Sequence, residues 1–299
     1  MNQKGRLNVE PEQVERLIAV QFPEFGHLPI RPVDASGWDN FTFHLGEKMS
    51  VRLPSAPWYV EQVAKEQQWL PRLAASLPFV IPVPLRLGQP GEGYPYPWSI
   101  YDWIEGDNAS NSTVGNFTEF ATTVGKFLLA LHQVDASDGP PAGAHCFFRG
   151  GSLAVYDTET RDAIEALNGE IKAVQANEVW DTALASSWSS APVWVHGDFA
   201  SGNILVRDGR LCAVIDFGCA CVGDPACDLV ISWTFLAGES REAFRRTVEM
   251  DKDTWARARG WALWKALITL VPQCGKHSEA EKETRRVIDD ILNDHRAFG

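Results

Sequence analysis

The residues able to do chemistry are concentrated between positions 196 and 228. His196-Gly197-Asp198 opens a segment that runs through Phe199-Ala200-Ser201-Gly202 to Asn203, and Asp216-Phe217-Gly218 closes it. Between them lie the apolar run Ile204-Leu205-Val206, the turn signal Asp208-Gly209, and a second apolar run from Leu211 to Ile215. Antiparallel pairing about that turn sets position 203 opposite roughly 214, so Asn203 and Asp216 are expected at the open end of one hairpin. An amide oxygen and a carboxylate there give a hard divalent cation two oxygen ligands and leave the rest of its shell to water and phosphate oxygens. Asp198, five residues ahead of Asn203 in a loop, is then placed to take the proton of an incoming hydroxyl near the same metal. His196 reads as a hydrogen-bonding residue that orients this loop. Asp228 reads as its brace and not as a ligand.

The elements that must hold these residues can be sketched from periodicity. Val9, Val14, Leu17 and Ile18 recur at helical spacing before Pro23, Gly26 and Pro29 end the pattern. Phe41, Phe43 and Leu45, then Met49, Val51 and Leu53, alternate on either side of Gly46-Glu47-Lys48, which predicts a β-hairpin. Residues 59–77 predict a helix whose second half is interrupted or kinked by Pro71. The Pro-rich stretches VIPVPLRLG and YPYPWSIYDWI predict two further extended segments, and Ile104 to Asp107 a connection. Beyond it, residues 117–134 and 161–185 predict helices, the strand signal returns once around Asp198, and helices rich in tryptophan follow near Trp255, Trp261 and Trp264. The fold class expected is α+β, with residues 1–104 forming a small β-rich lobe and residues 105–299 a larger, mainly helical lobe.

The spacing D-x-x-x-x-N followed by D-F-G resembles the kinase template. In the form HGD-x4-N-I-L-V and then IDFG it resembles the aminoglycoside phosphotransferase family, related to choline and macrolide kinases, with Gly223-Asp224-Pro225 and Asp228-Leu229 extending the motif. The resemblance implies a protein-kinase-like fold and an enzyme that moves the γ-phosphate of ATP, or alternatively GTP, to a small-molecule hydroxyl. It implies Asp198 as catalytic base and Asn203 and Asp216 as magnesium ligands. It also puts Arg52 where the family carries a phosphate-binding lysine, with Glu66 as its partner, and a phosphate-covering loop at Ser36-Gly37-Trp38. No G-x-G-x-x-G accompanies that loop. Adenine is expected against the backbone of Asp102 and Ile104, with Trp103 either a hinge or a core residue.

Charge and composition narrow the partners. Residues 1–100 are nearly neutral, with 10 acids and 9 bases, whereas residues 101–299 hold 29 acids and 18 bases. That balance repels nucleic acid and suits a cationic acceptor such as an aminoglycoside antibiotic, the resistance reading of the family; ordinary solubility charge explains it equally well. Glu239 and Glu242 are the acceptor contacts implied by the resemblance, and they read equally as solvated helix-face residues. No apolar run approaches the ~18 residues of a membrane span and no leader pattern opens the chain, so a cytoplasmic protein without membrane contact is expected. The six cysteines contain no C-x-x-C pair and read as reduced packing thiols. A macrolide or small-metabolite kinase, or an inactive kinase fold that only binds nucleotide, remains the alternative function.

Overall fold

The computed structural model describes residues 5–33 and 37–299. The chain forms two compact units, one of residues 1–107 with 212–219, the other of residues 108–211 with 220–299. The first contains α1 (Pro11–Gln21), β1 (Ile30–Pro32), β2 (Asn40–Leu45), β3 (Met49–Pro54), α2 (Val60–Ser76), β4 (Pro84–Gly88) and β5 (Trp98–Asp102). Its five strands form an antiparallel sheet in the order β1-β2-β3-β5-β4. The expected hairpin is β2 with β3, in register Leu45 opposite Met49 and Phe43 opposite Val51. Alternation turns Phe43, Leu45, Val51 and Leu53 inward with Trp98 and Ile100, and Val14, Leu17 and Ile18 of α1 seal the same core.

Pro71 does not interrupt α2, which runs unbroken through it. A proline removes one backbone N–H bond, and the burial of Trp69, Leu70 and Leu73 around it outweighs that loss.

The strand β6 (Asp107–Asn108) leads into the second unit. There follow α3 (Phe117–His132), α4 (Asp157–Ala166), α5 (Ala173–Ala185), β7 (Val193–Val195), β8 (Ile204–Arg207), β9 (Arg210–Val214), β10 (Cys221–Gly223), α6 (Ile231–Thr234), α7 (Gly238–Val248), α8 (Lys252–Leu270) and α9 (Glu279–Phe298). Asn116 caps α3 by accepting the N–H groups of Thr118 and Glu119. The helix expected over 161–185 is instead two, because the chain turns at Gly169, whose φ of +86° no helix accommodates. Strand structure also returns more often than expected, since β10 pairs antiparallel with β7, Cys221 opposite Val195. No helix among the described residues is long and apolar enough to cross a membrane.

The helices of the second unit are fastened by buried charge. Asp294 on α9, 4% exposed, accepts from Arg245 on α7 and, at 3.1 Å, from Arg259 on α8, which is 2% exposed. Burial lowers the Arg259 pKa against the pull of Asp294. Removing the carboxylate strands that guanidinium in a low-dielectric interior. Asp294→Ala is therefore expected to lose about 3–5 kcal/mol of stability, read as a lower denaturation midpoint, whereas Asp289→Ala on the exposed side of α9 should change little.

Candidate functional site

In the first unit Arg52 lies on β3, opposite Ser99 of β5. Its guanidinium donates to Asp216 at 2.8 Å and lies 3.7 Å from Glu66 of α2. Arg52, Glu66 and Asp216 are thus brought together, with Asp216 the closer partner. Burial alone would lower the Arg52 pKa, but the two carboxylates outweigh it and raise it. Asp216 has a φ of +66°, unusual for a residue with a Cβ. It lies two residues beyond the end of β9, and its segment belongs to this unit.

At the end of β5, the N–H of Trp103 donates to the carbonyl of Lys48. The carbonyl of Asp102, on the opposite side of that trans peptide, points the other way. The Trp103 ring lies against His44, centroids 4.2 Å apart. Gly37 lies between β1 and β2, and among the described residues nothing stands within 4 Å of where a Cβ on it would be, while Ser36 falls outside the described residues.

The second unit carries the loop that contains Asp198. β7 delivers the chain to His196 and Gly197, and both of their N–H groups donate to the carboxylate of Asp228, at 2.6 and 2.8 Å. The N–H of Asp198 donates to Nδ1 of the His196 ring at 3.3 Å. Phe199 stacks on Phe127 of α3 with centroids 5.7 Å apart. His196, Gly197 and Phe199 are buried, and Asp198 between them is exposed. Asn203 turns its amide nitrogen to Asp198, donating to the backbone carbonyl at 2.9 Å and to Oδ2 at 3.3 Å. Asp208 and Gly209, both at positive φ, make the expected turn between β8 and β9.

Among the described residues, Glu239 and Glu242 are bonded to neither Asp198 nor Asn203; both are exposed on α7, and Glu242 faces Arg245 at 3.6 Å. Sequence reasoning missed Arg257, 5% exposed, which holds Asp224 in a buried pair at 2.6 Å beside the Asp228 turn. Only the D-P that follows the motif glycine hinted at it. Asn203 and Asp216 each offer a hard oxygen, a donor type that suits magnesium.

Residues 30–261 match the phosphotransferase enzyme family. The chain belongs to that family. The solved GDP and kanamycin complex of an aminoglycoside phosphotransferase superposes over 94% of this chain and 98% of its own, with a TM-score of 0.70 and 16% identity. A macrolide 2'-phosphotransferase from Brachybacterium faecium does so over 95% and 97%, with a TM-score of 0.58 and 21% identity. At these identities the likeness is one of fold, and the kinase-like α+β fold is common to all three. In sequence, 149 residues are 30% identical to a homoserine kinase of Phenylobacterium zucineum, covering 48% of this chain and only 44% of that protein.

The Asp228 brace has a cost that pH reveals. Burial raises its pKa above the ordinary value of 3.8, opposed by His196 and by the two N–H groups it accepts. A native pKa above the unfolded one means the native state binds the proton more tightly, so this contribution is full below the unfolded value. It is lost as pH rises through the raised native value. Asp228→Asn removes that decline, and its unfolding free energy should fall less than wild type between acid and neutral pH. Turnover should fall about tenfold or more, since an amide NH2 cannot accept the second N–H. Denaturant titrations across the pH range, paired with activity at neutral pH, check both.

Proposed function

We propose that this chain transfers the γ-phosphoryl group of ATP, with GTP as the alternative donor, to a hydroxyl of a small molecule. The observation that carries the proposal is the loop geometry: Asp198 exposed between buried neighbours, tied to Asn203 and hung on Asp228, in a chain of the phosphotransferase family. Residues 1–104 would bind the nucleotide, with Asp102 and Ile104 at the base, Gly37 and Ser36 in the loop over the phosphates, and Arg52, steadied by Glu66, on the phosphate oxygens. Residues 105–299 would carry the base and the acceptor. Arginine in the lysine position binds phosphate through two parallel N–H bonds, not as a point charge. The sequence spacing D-x4-N and then D-F-G supports Asn203 and Asp216 as the residues that would hold magnesium. When bound, that ion neutralises charge developing on the phosphate oxygens. Asp198 would orient the acceptor hydroxyl and take its proton. Consumption of cytosolic nucleotide suits a cytoplasmic enzyme.

The acceptor proposed is an aminoglycoside, bound by acids of residues 101–299 with Glu239 and Glu242 as candidates, which would make the chain a resistance enzyme. Its support is the excess of 29 acids over 18 bases and the likeness in fold to an aminoglycoside phosphotransferase. The homoserine kinase match favours a second reading, a hydroxylated amino acid or similar metabolite. A macrolide phosphotransferase in the same fold keeps that acceptor class in the test.

Release of ADP across a panel of aminoglycosides, macrolides and hydroxylated amino acids separates these readings. On the best acceptor, Asp198→Ala should lose about 10²–10⁴ in kcat while binding nucleotide normally; near-normal kcat would refute the role of Asp198. A polycationic acceptor should show a KM that climbs as salt shortens the ~10 Å screening length of 0.1 M solution, whereas a zwitterionic one should be nearly indifferent.

A further inference from the structure

Helix α2 presents three polar side chains, Gln62, Lys65 and Glu66, at positions i, i+3 and i+4, which share one face. All three reach the surroundings of Asp216. The ammonium of Lys65 donates to the carbonyl of Gly218 at 2.7 Å. Gln62, 4% exposed, packs its amide end against Gly218, where an added Cβ would stand 2.8 Å from the amide oxygen and displace it. Glu66 reaches Asp216 through Arg52. Its other oxygen accepts the phenol of Tyr101, which is buried on β5 with its ring centroid 5.7 Å from the Arg52 guanidinium carbon. Burial, with Glu66 next, holds the Tyr101 pKa well above its ordinary value, so the phenol stays a donor.

These contacts explain how Asp216 keeps its left-handed backbone. A non-glycine residue holds such a conformation only where its neighbours over-determine it. Here the segment is gripped on both sides: Lys65 holds the carbonyl of Gly218, two residues on, and Arg52 holds the Asp216 carboxylate. Arg52 is in turn divided between Asp216 and Glu66, and the direction of the Glu66 carboxylate is set by Tyr101.

We infer that Lys65 and Tyr101 are positioning residues for phosphoryl transfer: Lys65 fixes the backbone that aims the Asp216 carboxylate, and Tyr101 fixes Glu66 and hence the guanidinium of Arg52. Neither touches the reacting groups. The inference rests on the proposed roles of Asp216 in holding magnesium and of Arg52 in contacting phosphate.

The test is steady-state kinetics with magnesium and nucleotide varied separately, on the acceptor the panel identifies. Losing one hydrogen bond to a charged group shifts an equilibrium by about tenfold. Lys65→Met, which keeps the length of the stem, should raise the magnesium concentration for half-maximal activity about tenfold while the acceptor KM stays put. Lys65→Arg, which keeps a donor, should restore most of it. Tyr101→Phe should lower kcat/KM for nucleotide by a similar factor, and should add nothing in a Glu66→Gln background. Arg52→Ala and Asp216→Asn provide the reference. If both behave as wild type, the underlying assignment of Arg52 and Asp216 falls. If both are impaired while Lys65→Met and Tyr101→Phe match wild type, or raise nucleotide and acceptor KM alike, the positioning inference is overturned.

Discussion

A buried carboxylate that accepts two backbone N–H groups holds the geometry of the Asp198 loop. Asp228 is fully buried, and its two oxygens are taken by the N–H groups of His196 and Gly197. Burying an ionised acid is unfavourable unless hydrogen bonds replace the lost water, and the two backbone donors do this here. In exchange, two successive peptide planes are fixed at the point where β7 ends. The aromatic stack of Phe199 on Phe127 anchors the residue after Asp198, so Asp198 is exposed between buried, hydrogen-bonded neighbours. Asn203 closes the loop from its far end by donating to Asp198 twice. A group that moves a proton must be accessible and pre-oriented at once, and this arrangement supplies both.

The first unit solves a related problem with charge. Its Arg52 is shared between Asp216 and Glu66. A guanidinium has separate N–H groups to offer two carboxylates at fixed angles, which an ammonium lacks. Arg52 is therefore coupled to its surroundings: Tyr101 occupies Glu66 from the other side, and α2 grips the Asp216 segment through Lys65. An Arg52→Lys change keeps the charge but loses the fork on which this arrangement depends.

Legibility in the sequence followed the range of the interaction. The β2–β3 hairpin was readable because alternation and a Gly-Glu-Lys turn are local signals, and α3 because its apolar stripe is long. The break at Gly169 was hidden because strong helix formers flank it on both sides. β7 and β10 have three residues each, too few to show a period, and their pairing is a tertiary fact. Asp198, Asn203, Asp216 and Asp228 announced themselves by spacing. The Arg52–Asp216 pair spans 164 residues and the Lys65–Gly218 bond 153, separations that leave no local pattern in the sequence.

In the proposed function the Asp198 loop does chemistry on a hydroxyl, beyond the holding of a nucleotide by the fold. The most direct measurement is phosphorus NMR of a single turnover, with enzyme in excess of ATP and the acceptor found by the panel. A phosphomonoester resonance on the acceptor, formed one for one with ADP, is the predicted result. Bound ATP that persists unchanged, or ADP matched only by inorganic phosphate, would contradict it.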